Sequence, residues 1–216
     1  MDPKERIRMR MMSSFITAAD EIMKEEGFDK ITIRNVALRA GCNSATLYNY
    51  FEDLDHLLFY MSMSYLAEYN ESLVKIMARY DDPLERYLEI WSIFIDFSFS
   101  KPKIFYQIFF SPKYRNDLYV TMRSYYQIFP RELPSNQLVV QNMYRGKNIF
   151  VRNRVLLEDL AAGGYIGSQN INRINTGTIY AFQAVLNDLR HNIKFEHFKE
   201  ELMEIIEYFV TGKWSP

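Results

Sequence analysis

Few residues in this chain could carry covalent or metal chemistry, and their spacing assembles none of it. His56, His191 and His197 are the only histidines. His191 and His197 stand six apart, on opposite sides of any helix that held both, and no cysteine or carboxylate completes a ligand pattern around them. Cys42 is the single cysteine, so no intramolecular disulfide can form, and its place between two short helices reads as a small buried hydrophobe. Gly163-Gly164-Tyr165-Ile166-Gly167 follows an expected helix rather than a strand, which makes it a helix end and turn and not a nucleotide loop. There is no nucleophile-elbow GxSxG and no phosphate-binding glycine-lysine loop. No catalytic residue, no metal and no cofactor is expected.

The chemistry the residue types do suit is hydrogen bonding to base edges. Around Asn43-Ser44-Ala45-Thr46 and Asn49 the side chains are small and polar. Asn can pair bidentately with adenine, Thr and Ala can touch a thymine methyl, and Ser can bond either edge. Thr32, Arg34, Arg39, Tyr48 and Tyr50 suit phosphate contacts, which position a protein on the duplex without reading sequence.

These residues need a scaffold, and residues 31–51 provide one. Thr32 can cap a helix over about 33–40, with Ile31 and Val36 placed as a hydrophobic staple; Asn43 can cap a second over about 44–51, with Cys42 and Leu47 in the equivalent places. Ala37 is small where the helices must approach, Gly41 permits the turn, and Leu47 plugs the shared core, the spacing a helix-turn-helix requires. At 100° per residue Leu47 and Phe51 share one side of the second helix, while Ala45, Thr46 and Asn49 lie roughly opposite. The outward set is the base-reading set.

Charge agrees by region and not in total. The chain has 26 basic and 27 acidic side chains and a net charge of -1, which supplies no global attraction to a polyanion. Residues 30–51 nevertheless hold Lys30, Arg34 and Arg39 and no acid, and the arm Lys4 to Arg10 adds four bases against Glu5. That arm can track a duplex or fray into solvent. The first 56 residues together hold 8 bases and 10 acids, so folding must gather the basic groups on one surface.

With 216 residues, 48% hydrophobic and 25% charged, the chain has the composition of a folded globular protein of one domain or two. Its apolar runs are too short to span a bilayer, and the first residues lack the pattern of a secretory signal. No membrane partner is expected, and a reducing, cytoplasmic setting follows from the cysteine count. No glycine lies between Gly41 and Gly146, which argues for helices joined by short turns. The predicted fold class is all-α, with helices at about 4–26, 33–40, 44–51, 54–79, 83–99, 102–110, 112–128, 136–145, 148–162, 173–191 and 195–211, and a loop near 130–137. Gly27 ends the first, and Asp82-Pro83 and Ser111-Pro112 are helix starts.

The succession of a first helix, Gly27-Phe28, Ile31-Thr32-Ile33-Arg34-Asn35-Val36-Ala37, Ala40-Gly41, Thr46-Leu47-Tyr48, Phe51 and then Leu57-Leu58 in a long helix resembles the amino-terminal domain of the TetR family of transcription regulators. The resemblance is specific over about residues 10–60. It implies a three-helix DNA-binding head at 1–53, a helical ligand-binding and dimerisation domain at 54–216, and a homodimer formed through the last two long helices. Glu52 and Leu54 stand where family members often have lysines on the DNA backbone, and Asn49-Tyr50 replaces a more usual aromatic-histidine pair. A carboxylate near phosphate is unfavourable, and each missing lysine removes roughly one unit of counterion release.

In the body, thirteen of the 39 residues from Trp91 to Phe129 are aromatic, against about six at the chain average of 16%. Such walls suit a small apolar or aromatic ligand, and Phe94, Phe97, Tyr106, Tyr125 and Tyr126 are the expected pocket. Ordinary core packing accounts for such a stripe as well. Phe182, Val185 and Leu189 with Leu202, Ile205 and Phe209 are the expected dimer faces, although burial within one chain would explain them too. The expected function is a ligand-responsive repressor on a palindromic double-stranded operator. The rival is an architectural or protein-partnered DNA binder with a filled core and no small effector.

Overall fold

The computed structural model describes residues 2–130, 142–143, 145–193 and 196–214. Among these there are only helices and turns: α1 (Pro3–Glu26), α2 (Ile33–Arg39), α3 (Ser44–Leu47), α4 (Leu54–Arg79), α5 (Pro83–Ser100), α6 (Pro102–Phe110), α7 (Leu118–Ile128), α8 (Ile149–Ala162), α9 (Ile171–Arg190) and α10 (Phe198–Thr211). The all-α class follows directly. The helix expected at 136–145 and the loop near 130–137 lie largely outside the described residues.

Side-chain oxygens start most of these helices. Asp2 accepts from Lys4 N, Thr32 from Asn35 N, Asn43 from Thr46 N, Asp53 from His56 N, and Asn148 from Val151 N, each satisfying a backbone donor that the first turn leaves without a partner. Asp82 accepts from both Leu84 N and Glu85 N at 2.9 Å ahead of Pro83. Two boundaries differ from expectation. After Leu47 the amides of Asn49 and Tyr50 bond back three residues, to Thr46 and Leu47, so α3 tightens into a turn that brings Phe51 into the core. Ser111-Pro112 opens a single turn, but helix-poor Asn116 and Asp117 follow and α7 begins only at Leu118.

The chain gathers into two compact units, one of residues up to Leu66 with Val120–Leu133, the other of Ala67–Tyr119 with the remainder. In the first unit α1 packs on α2 and α2 on α3, around the buried side chains of Phe15, Ile22, Val36, Leu47 and Phe51. Phe15 meets Phe51 edge-on at 6.4 Å. The left-handed Gly41, φ 69°, turns the chain between α2 and α3, and Cys42 behind it is half-buried rather than enclosed.

In the second unit α9 packs along α8, α6 and α10, and α5 lies against α6, α8 and α10. Phe94 is its hub: its ring lies 5.5 Å from Trp91, 5.4 Å from Phe109 and 5.0 Å from Phe182. A chain of buried amides ties three helices together. Trp91 Nε1 donates to Asn153 Oδ1 and Asn153 Nδ2 to Asn175 Oδ1, both at 3.0 Å, and Asn175 Nδ2 donates to the carbonyl of Phe150. Enclosed polar groups persist where they are bonded in this way. At the α9–α10 contact, a Cβ added to Gly177 would come within 3.1 Å of the Phe209 ring.

Candidate nucleic-acid interface and ligand cavity

The outer side of the α3 segment carries the expected base-reading residues. Leu47 is fully enclosed, and Asn43, Ala45 and Asn49 are exposed with Ser44 and Thr46 half-exposed beside them. Asn43 Oδ1 is committed to Thr46, accepting from its N at 2.8 Å and its Oγ1 at 3.0 Å, which leaves the Asn43 amide N–H groups to face outward as donors. Asn49 keeps both ends of its side-chain amide in the open, able to pair with adenine.

The five expected phosphate contacts separate. Arg34 and Tyr48 are exposed, and Thr32 is exposed while its hydroxyl caps α2. Arg39 is held by acids of α1: it bonds Glu25 at 2.6 Å and Glu26 at 3.2 Å, with Glu21 at 3.9 Å. The Glu25 hydrogen bond, aided by all three carboxylate charges, raises its pKa above the ordinary arginine value despite some desolvation. Arg39 is therefore a clamp between α1 and α2, and three neighbouring acids oppose its approach to phosphate. Tyr50 is half-buried, its ring 5.8 Å from Phe15 and 5.7 Å beneath the Arg8 guanidinium, so it packs the head instead of projecting from it.

Arg8 itself was hidden in the basic arm. The arm is helical from Pro3 onward, and Arg8 reaches the turn after α3, donating to the carbonyl of Asn49 at 3.3 Å. At the start of α4 Leu54 is half-buried, while Glu52 is exposed with its backbone N–H donating to His56 Nδ1. The histidines have local roles: His56 also packs on Phe51 and Tyr60, His191 Nδ1 sits against the carbonyl of Asn187, and His197 adopts left-handed backbone before α10. Among the described residues no group of three His, Cys, Asp or Glu could hold a metal ion. Nor is any described helix long and apolar enough to cross a membrane.

The expected ligand residues do not form one wall. Among them Phe94 lines a cavity of the second unit, with Tyr69, Trp91, Phe109, Arg152 and Asn153 as its principal neighbours. Phe97 lies one helical turn along and meets Tyr69 edge-on at 6.1 Å. Tyr106 is half-exposed, with Arg190 stacked 3.6 Å above its ring. Tyr125 and Tyr126 are buried in the other unit, where they pack against each other at 5.6 Å. Aromatic enrichment located the region, but it could not tell cavity from core. The cavity measures about 30 Å³. Burial pushes the nearby Tyr87 phenol up to about 12, opposed by the neighbouring polar groups of Thr178, Asn153 and Trp91. Tyr69 is also pushed up by burial, and the Arg152 charge opposes that shift.

On the last two helices, Phe182 and Leu202 are enclosed within the unit itself, Phe182 among the rings of Trp91, Phe94 and Phe110. They cannot reach a second chain. Val185, Leu189, Ile205 and Phe209 are half-exposed and can.

Residues 15–61 match the sequence model for bacterial regulatory proteins of the tetR family. No curated protein matches the chain by sequence. Solved structures of low identity share its fold over nearly its whole length. The chain is similar to a TetR-family transcriptional repressor, FadR, of Thermus thermophilus, solved with lauroyl-CoA, at 15% identity and a TM-score of 0.64, covering 95% of this chain and 96% of that one. It is similar to RolR, solved with resorcinol, at 18% identity and a TM-score of 0.62, covering 95% and 90%. A TetR-family regulator of Mesorhizobium loti aligns at 16% identity with a TM-score of 0.52, covering 95% of each chain.

Proposed function

We propose that this TetR-family regulator binds a palindromic operator as a homodimer, represses transcription in the cytoplasm, and leaves the DNA when a small apolar or aromatic ligand occupies its second unit. One observation carries the DNA-binding reading: Ala45 and Asn49 stand exposed on the side of the α3 segment opposite the enclosed Leu47. That arrangement fits entry of a short helix into the major groove. A dimer through Val185, Leu189, Ile205 and Phe209 would present two heads and call for an operator with two half-sites, one or more helical turns apart. Release by ligand requires tighter binding to the conformation that fits DNA less well. The lauroyl-CoA and resorcinol bound by two proteins of the same fold support a ligand-accepting second unit.

The test is a mobility-shift titration of the purified full chain against DNA upstream of its own gene and an unrelated duplex of equal length, at increasing salt. The reading predicts a preference for the upstream DNA that survives moderate salt. Equal shifts with both would overturn it. The small size of the aromatic cavity favours the second reading, a DNA binder whose core is filled and that answers to a protein partner, whereas a wider cleft of about 210 Å³ lined by Phe109, Phe110, Asn148, Phe150 and Tyr180 favours the first. Apolar ligand libraries that never raise the melting temperature would favour that reading, because a ligand bound to the folded state stabilises it by mass action.

A further inference from the structure

The proposed effector site has a chemical bias beyond its aromatic walls. Arg152, on α8, is only 4% exposed, yet it lines the cavity beside Trp91 and Phe94, with its guanidinium 6.0 Å from the centre of the Phe109 ring. It donates at 3.3 Å to the Oδ1 of Asn70, a residue 1% exposed. That bond fixes which end of the Asn70 amide faces the cation. The other end, Nδ2, is enclosed and has no hydrogen-bond partner among the described residues. The Arg152 guanidinium thus lines a largely apolar cavity, and the Asn70 amide bonded to it adds a second donor beside it. Leaving a buried donor unsatisfied is costly, and a guanidinium bonds best to a planar, two-oxygen anion.

We propose that this cavity takes a small apolar monocarboxylic acid, its carboxylate held by Arg152 with Asn70 Nδ2 and its apolar body set among Trp91, Phe94 and Phe109. The proposal rests on the reading of the second unit as an effector site. At about 30 Å³ the cavity holds one or two waters as it stands, so the acid enters by displacing side chains. Met143, buried in the lining, is the adaptable member, with an unbranched thioether side chain. Two shapes of body meet the same chemistry, a ring and a short alkyl chain.

The experiment uses the full-length W214F variant, which leaves Trp91 as the sole indole. Its fluorescence and melting temperature are followed with benzoate and octanoate, and with benzyl alcohol and octanol as uncharged counterparts. Each acid is expected to change the fluorescence and raise the melting temperature, and to bind about ten- to a hundredfold more tightly than its alcohol. Whichever acid binds more tightly identifies the shape of the body. N70D places a carboxylate against Arg152 with almost no change in volume, and it should remove the preference for acids. This comparison does not depend on tolerating loss of the buried arginine, and the acid–alcohol ratio of the parent needs no substitution at the site. Equal binding of acids and alcohols overturns the carboxylate assignment while leaving the effector reading standing. No binding by any of the four overturns the assignment together with the effector reading, and the mobility-shift comparison with upstream DNA then decides the DNA-binding reading separately.

Discussion

Arg8 of α1 donates to the main-chain carbonyl of Asn49, 41 residues further along the chain, and the same guanidinium covers the ring of Tyr50. The turn that follows α3 is thereby held from outside, by the amino-terminal arm. Replacing Arg8 with Ala should weaken upstream-DNA binding by about tenfold, the scale of one lost charge-assisted hydrogen bond. Circular dichroism should show the helix content unchanged. Full DNA affinity in the variant would dismiss the brace.

Asn49 and Arg34 should fail in different ways. Asn49→Ala removes the proposed base contact and should cost about 1–3 kcal/mol of discrimination at one operator position, leaving binding to unrelated DNA little changed. Arg34→Ala should weaken binding to every duplex alike and lower the slope of log affinity against log salt by about one unit per head. Mobility shifts on a set of single-base operator variants, repeated at several salt concentrations, separate the two.

The halves of each expected dimer face should also part company. Phe182→Ala empties a fully enclosed site and should destabilise the chain by about 3–5 kcal/mol in urea unfolding. Val185→Glu combined with Ile205→Glu alters half-exposed positions and should convert a dimer to a monomer in analytical ultracentrifugation with the helical spectrum retained. A double variant that still sediments as a dimer would move the interface elsewhere.

Asp82 and Tyr165 give a pH signature. The Tyr165 hydroxyl donates to Asp82, and with the backbone N–H groups of Glu85 and Leu84 it holds the Asp82 carboxyl below its ordinary value. The same contact raises the Tyr165 phenol. A depressed carboxylate stabilises the fold above its unfolded value, about pH 4, and the effect is lost as pH falls through the folded value. A raised phenol stabilises below about pH 10, and the effect is lost as pH rises through its folded value. Tyr165→Phe should therefore melt below the parent at neutral pH, with the two curves meeting at both extremes. A constant gap in melting temperature from pH 3 to pH 11 would contradict the linkage.

How far the sequence could be read depended on how local each cause was. Thr32, Asn43 and Asp82 act on amides two or three residues away, and all three cap as expected. The α3 segment was placed correctly but drawn too long, because its end is set by the pull of Phe51 into a core built partly from α1. Arg39 looked like a phosphate contact because no acid lies near it in sequence; Glu21, Glu25 and Glu26 meet it only once α1 folds back across α2. The cavity was the least legible feature. Its polar members Arg152 and Asn153 lie far from Trp91 and Tyr69 in sequence, and nothing in the aromatic count distinguishes a ring that borders space from one that fills it.

The bare Cα of Gly177 lets the Phe209 ring nest directly on the backbone of α9. The gap between the two closing helices is thus fixed by a hydrogen atom where other residues would carry carbon. A methyl group there would act as a shim, obliging the Phe209 ring to give by a few tenths of an ångström and so reshaping the surface that the proposed dimer would offer a second copy. The proposed pairing could accordingly be retuned from beneath that surface, without altering a single residue placed to touch the neighbour.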